Sequence, residues 1–257
     1  MRKKINLKPF LITLSILSIL LFNGCGLFES STGIEIDKNT LAKIPMTKGI
    51  TNQRIQMGET GTLLYTLSIP EIKEGKEVPF IIALHWAGQS KMHFAEGYLR
   101  GLAEPGFREL GAIVFAPDVP RNNWSDGFSE DAILKFLEAA KQVWPINPNK
   151  IVITGYSMGG NGTWVIANEH PDKFSAAIPM ASVPSGRLNG EMPTYIIHGK
   201  RDELFDYENA QKAYDILKGN GGDVKLAIPE TLSHYQGFSY VKYLEDASTW
   251  LKTSVWK

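Results

Sequence analysis

Five short apolar runs, each set off by a polar or glycine-bearing stretch long enough for a helix, constrain this chain more than any other feature. They are Phe80-Ile-Ile-Ala-Leu84, Ala112-Ile-Val-Phe-Ala116, Ile151-Val-Ile-Thr154, Ala176-Ala-Ile-Pro-Met180 and Thr194-Tyr-Ile-Ile197. Runs this short, with little polar alternation, fit strands buried on both faces, as in parallel sheets covered by helices. The segments between them predict helices near 93–110, 129–143, 159–169 and 206–218, with a last one at 240–252. Ser129-Glu-Asp offers the second of these a capping side chain and first-turn acids. Leu63-Leu-Tyr-Thr-Leu-Ser-Ile69 alternates more loosely and reads as an antiparallel edge strand. Alternating strand and helix signals predict a doubly wound, mostly parallel α/β sheet. Ligands of such sheets bind beyond the carboxyl ends of the strands.

Composition narrows the chemistry. The 257 residues carry 27 Lys+Arg against 27 Asp+Glu. A chain so balanced has no basic footprint for nucleic acid. Its single cysteine excludes an internal disulfide framework and a cysteine-based zinc cluster, and the five histidines show no metal-ligand spacing. No metal or other cofactor is expected. Residues 50–257 hold no internal repeat and are expected to form one domain.

The start of the chain reads differently. Arg2, Lys3, Lys4 and Lys8 precede an uncharged run from Pro9 to Phe22, which leads into Asn23-Gly24-Cys25. A basic start before about 7–15 apolar residues has the form of an export signal. The Leu21-Phe22-Asn23-Gly24-Cys25 stretch resembles the lipobox of bacterial lipoproteins, in which the cysteine is lipidated after cleavage. Phe22 and Asn23 depart from that pattern. A lipoprotein cleaved after residue 24 and anchored in the membrane through Cys25, an uncleaved membrane anchor and ordinary secretion all fit. Each exports the domain, to a periplasm or cell surface in the first case. Removal of residues 1–24 takes four basic residues and no acidic one, leaving 23 against 27 and a formal charge of −4. Residues 25–49 are polar and weakly patterned, and read as a tether.

Chemistry enters after the strand Lys150-Ile-Val-Ile-Thr154. Gly155-Tyr-Ser-Met-Gly-Gly160 follows it, and then a helical stretch from Asn161. G-x-S-x-G alone is a weak signal, but between a buried strand and a helix it forms a nucleophile elbow. Small neighbours at Gly155 and Gly159 let the backbone turn sharply, so that Ser157 stands clear of the sheet at a helix amino end. Gly155–Gly160 together with His170-Pro-Asp-Lys-Phe-Ser-Ala-Ala-Ile-Pro179 resembles the α/β-hydrolase superfamily. Within it the likeness is to the group of phospholipase/carboxylesterases, polyhydroxybutyrate depolymerases, feruloyl esterases and predicted peptidases. The likeness runs from about residue 78 to the end of the chain. It implies serine-type acyl transfer.

A serine needs a base, and the base an orienting acid. The resemblance implies the chain order Ser, acid, His. His198-Gly-Lys-Arg-Asp202 matches the family pattern H-G-x-x-D past a strand end, which points to Asp202; Glu203 and Asp206 are substitutes. His234 lies past the next strand, Val224-Lys-Leu-Ala-Ile228, and is the expected base. The resemblance further implies an oxyanion hole from the N–H of Met158 and of Ala87, in the loop His85-Trp-Ala-Gly88. Trp86 stands there where relatives carry glycine. It reads equally as a substrate wall or as core packing.

Only Ala181 to Met192 separates the strand after the elbow helix from the acid strand, too little for a lid domain. An open site suits a short acyl group on a bulky or polymeric partner, such as a carbohydrate. Trp124 is placed to stack on a sugar or aryl group, or else packs in its loop; Tyr156 and Tyr235 flank the expected catalytic residues. The sequence therefore predicts an exported serine esterase. A peptidase or acyltransferase with the same residues, or a non-catalytic binding protein on this scaffold, are the alternatives.

Overall fold

The structure is a computed structural model and describes residues 32–88 and 91–257. The leader and Cys25 lie outside the described residues. Among the described residues, no helix is long and apolar enough to cross a membrane.

Eight strands form one sheet: β1 (Gly49–Gln56), β2 (Thr62–Ile69), β3 (Val78–Leu84), β4 (Ile113–Pro117), β5 (Ile146–Tyr156), β6 (Ala176–Met180), β7 (Thr194–Ile197) and β8 (Val224–Ala227). Their order is β1-β2-β4-β3-β5-β6-β7-β8, with β2 antiparallel to both neighbours and the run from β4 to β8 parallel. This is the α/β-hydrolase fold. The stretch 63–69 is strand, but β1 covers it and takes the edge.

Side-chain alternation along each strand builds two cores. Phe80, Ile82 and Leu84 of β3 join a cluster with Phe115, Phe136 and Trp144, whereas Ile81 and Ala83 face Leu102, Phe107 and Leu244. Helix α4 (Gly127–Lys141) lies over the first face and helix α7 (Val241–Trp250) over the second, while α5 (Met158–Glu169) and α6 (Tyr207–Gly219) share a third cluster built around Trp164 and Leu217. Asp126, not Ser129, caps α4, by accepting the Phe128 N–H.

Two predicted features come out differently. The tether reading fails for residues 32–49. Ile34 and Leu41 are buried in the first core, Trp144 Nε1 donates to Leu41 O at 3.1 Å, and Lys135 Nζ donates to Ile34 O at 2.8 Å. Scattered apolar residues in a polar stretch suffice to dock a segment when a finished surface awaits them. The helix expected at 93–110 forms over 95–110, but it is not a regular α-helix throughout. Two short helical turns, α2 (Ala95–Tyr98) and α3 (Glu104–Phe107), flank a π-helical turn at Leu99–Ala103. Pro105 sits inside this segment and has no N–H for the regular ladder.

Between β6 and β7 there is no helix or strand. No lid domain covers the carboxyl ends of the strands here.

Candidate active site

The strand β5 turns directly into α5 through Ser157, whose backbone is at φ 56° and ψ −115°. Such angles strain a residue with a side chain, and surrounding packing must hold them. Two glycines make the turn possible. A Cβ on Gly155 would lie 2.2 Å from Gly159 O, and one on Gly159 would lie 1.9 Å from Leu84 O. The strained backbone is pinned by Ser157 N–H donating to Met180 O at 3.0 Å and by Asn161 N–H donating to Ser157 O at 2.9 Å. These contacts leave the hydroxyl facing the loops past β7 and β8.

Those loops supply an acid and a base. His234 Nε2 lies 2.8 Å from Ser157 Oγ, and His234 Nδ1 lies 2.8 Å from Asp202 Oδ2. The Asp202 side chain is fully covered. Burial alone pushes its carboxyl up. Hydrogen bonds from His198, His234 and the Phe205 N–H outweigh burial, and the carboxyl is held well below the usual carboxylate range. An ionised Asp202 only accepts, so Nδ1 of His234 carries the proton and Nε2 is free to accept from the Ser157 hydroxyl. That arrangement can take the proton of an attacking serine and return it to a leaving group. Of the substitute acids, Glu203 accepts the His234 N–H at 3.0 Å and Asp206 caps α6 through the Glu208 N–H.

The loop after β3 faces the same point. Val119 N–H donates to His85 Nε2 at 3.1 Å, so Nδ1 bears the proton and donates to Trp86 O at 2.6 Å. His85 is thereby a brace of the loop. Trp86 is not among the residues at positive φ; the positive φ of 101° falls on Gly88. Trp86 thus fits the glycine position with ordinary backbone. Met158 and Ala87 both border the turn, and among the described residues neither N–H donates to another protein group.

A cavity of about 360 Å³ opens beside Ser157, lined by Trp86, Ala87, Tyr156, Leu204, His234, Tyr235, Gly237 and Phe238. No lysine, arginine, aspartate or glutamate stands in that lining. Trp86 lines the cavity and packs at the same time, edge-on to Tyr98 and Tyr156 at 5.3 and 5.9 Å. Tyr156 is chiefly a brace, its buried hydroxyl donating to His234 O at 2.8 Å. Tyr235 stands exposed at the mouth. Of the two readings of Trp124 the stacking one is corrected and the packed one holds: the side chain is fully buried, donates through Nε1 to His85 O at 2.9 Å and packs against Gly162, which leaves no face open to a sugar. A larger hollow of about 520 Å³ lies at the opposite, amino end of β4, with Lys48, Glu71, Glu104 and Arg108 in its wall and none of the groups above.

His198, the histidine of the H-G-x-x-D pattern, is buried against Asp202, its Nε2 2.9 Å from Phe205 O and 3.4 Å from Asp202 Oδ2. Other contributors carried no sequence signal. The Tyr240 hydroxyl accepts the Gly199 N–H at 2.9 Å, fixing the start of the acid loop. Phe238 and Leu204 border the cavity from loops whose direction only the fold defines.

Comparison with known proteins agrees with the fold and with a serine hydrolase. A model of the prolyl oligopeptidase family matches residues 115–189. The chain is 25% identical over 182 residues to protein usf of Aquifex pyrophilus, covering 61% of this chain and 75% of that one. It is 27% identical over 132 residues to an acetylxylan esterase of Coprinopsis cinerea, covering 45% of this chain and 34% of the esterase. Among solved structures, a thermostable esterase superposes with a TM-score of 0.67 at 25% identity, over 79% of this chain and 62% of that one.

Proposed function

We propose that this chain, a serine hydrolase of the α/β-hydrolase fold, cleaves carboxylic esters through an acyl-enzyme on Ser157. The observation that carries the reading is the unbroken hydrogen-bonded line Ser157–His234–Asp202, with both links at 2.8 Å. In this reading Ser157 attacks the carbonyl while His234 takes its proton. His234 then protonates the departing alcohol, and water repeats the sequence on the acyl-enzyme. Asp202 orients the imidazole and stabilises its charge. The N–H groups of Met158 and Ala87 receive the oxyanion, each donor worth about 3 kcal/mol in the transition state.

Substrate preference follows from access. With no element between β6 and β7 to cover the site, an ester on a bulky or polymeric partner can reach Ser157. The partial likeness to an acetylxylan esterase supports a short acyl group on a polysaccharide. The match to the prolyl oligopeptidase family supports a second reading, amide hydrolysis by the same residues. The basic start and Cys25 support export as a membrane-anchored lipoprotein.

The test is direct. Purified protein is expected to cleave p-nitrophenyl acetate and to be labelled by a fluorophosphonate. Ser157→Ala should lose labelling and at least about a thousandfold in kcat/KM. Full activity in that variant removes Ser157 from the mechanism. Absence of labelling in the parent chain points to a binding protein instead. Parallel assays on peptide amides separate ester from amide hydrolysis, and release of Cys25→Ala from membranes tests the anchor.

A further inference from the structure

Three large apolar side chains stand exposed around the one cavity that holds Ser157: Leu204 at 53%, Tyr235 at 74% and Phe238 at 56%. Such residues are ordinary on a surface singly and stand out when they cluster at one rim. Of these, Phe238 has an unusual footing. It lies in the turn Gly237–Tyr240 and presses on Gly101 in the π-helical turn Leu99–Ala103. A Cβ on Gly101 would come within 2.3 Å of Phe238 Cε1 and 2.5 Å of Cδ1. The ring therefore rests on bare backbone. Its other face neighbours Trp86, edge-on at 5.6 Å, and Trp86 in turn packs against Tyr98 and Tyr156. Gly237 continues this wall: a Cβ there would lie 3.5 Å from Trp86 and 3.6 Å from Tyr156.

We infer that Trp86, Phe238, Tyr235 and Leu204 form a seat for a neutral, ring-sized apolar group of the ester, and that Gly101 sets the width of this seat through Phe238. The inference deepens the esterase reading and rests on it. Edge-on aromatic walls favour a planar ring between them. A wall without ionised groups discriminates against charged substituents, which would lose their hydration on entry. The π-helical turn has a use in this arrangement. Widened turns of this type recur at functional sites, and this one presents the bare Gly101 backbone to the Phe238 ring. The added methyl group would meet only the far end of the exposed Phe238 side chain and no backbone, so Gly101→Ala should shift the ring and leave the fold intact.

The ring can come from the acyl or the alcohol side of the ester, and two series sharing one reference distinguish them. Hydrolysis of ethyl acetate is compared with ethyl phenylacetate for the acyl side and with benzyl acetate for the alcohol side. The parent chain is expected to prefer the ring-bearing ester about tenfold in kcat/KM in one series. Gly101→Ala and Phe238→Ala should each lower that preference by most of the tenfold. The double variant should lose no more than Phe238→Ala alone, because the Gly101 effect travels through the ring. Fluorophosphonate labelling and thermal unfolding report that each variant is folded. No preference in either series overturns the inference, and so does an additive loss in the double variant. If the parent neither hydrolyses an ester nor takes the phosphonate label, the esterase reading fails first.

Discussion

The two sides of the Ser157 cavity are built in opposite ways. On one side His234 is held from every direction, by Asp202 on its ring, by Glu203 on its N–H and by Tyr156 on its carbonyl. Asp202 is itself fixed by the N–H groups of Leu204 and Phe205 on Oδ1, and by His198 beside Oδ2. On the other side Phe238 and Tyr235 stand as exposed rings held by ring contacts, to Trp86 and to His234. Proton transfer demands fixed distances, and directional hydrogen bonds fix them. Selection of an apolar group needs contact area, which can adjust around a ligand. The contrast makes one side the chemistry of the site and the other its selectivity.

Breaking the braced side should have the larger consequence. Asp202→Asn is expected to lower kcat by about a thousandfold or more, because the amide favours the wrong tautomer of His234. A steady-state assay on p-nitrophenyl acetate checks this, with little change in KM expected. The same substitution tests the buried carboxylate by pH. Asp202 titrates lower in the folded chain than in an unfolded one, so its contribution to stability is present above about pH 4 and lost as pH falls below that. Parent and variant unfolding should therefore converge on acidification; a constant gap from pH 6 to pH 2 would contradict it. Next in size is Tyr156→Phe. It removes the hydrogen bond to His234 O and should cost about tenfold in kcat, with the fold retained. Smallest is Leu204→Ser at the mouth, where a two- to threefold rise in KM for p-nitrophenyl esters is expected with kcat little affected. An effect of Leu204→Ser on kcat as large as that of Tyr156→Phe would erase the distinction between the two sides.

How much of this could be read in the residues varies with the range of the interaction. The strands were legible because alternation and apolar runs are local, and β3 through β7 lie where those runs are. The elbow was legible for the same reason, since the clash that requires Gly155 involves Gly159, four residues away. Trp124 was not, because its burial depends on Gly162 and His85, which only packing brings beside it. Residues 32–49 were misread as a tether because their polar composition hides two anchors, Ile34 and Leu41, whose pocket is built from α4, β5 and their neighbours. The helix expected at 93–110 is present over 95–110, and only its widened π turn at Leu99–Ala103, just ahead of Pro105, went unread, because apolar periodicity does not report the hydrogen-bond ladder.

The sequence by itself determined the layered sheet, the sharp turn at Ser157 and the identity of the groups able to act as acid and base. Each depends on side-chain period or on sterics within a few residues. Asp202 was pointed to by its H-G-x-x-D pattern, but tertiary structure alone decided what Glu203 and Asp206 hold instead, which tryptophan borders the cavity and which helical turn supports Phe238. Those outcomes depend on distances between segments up to about 137 positions apart (238 − 101), and such distances are fixed only when both cores have closed around the sheet.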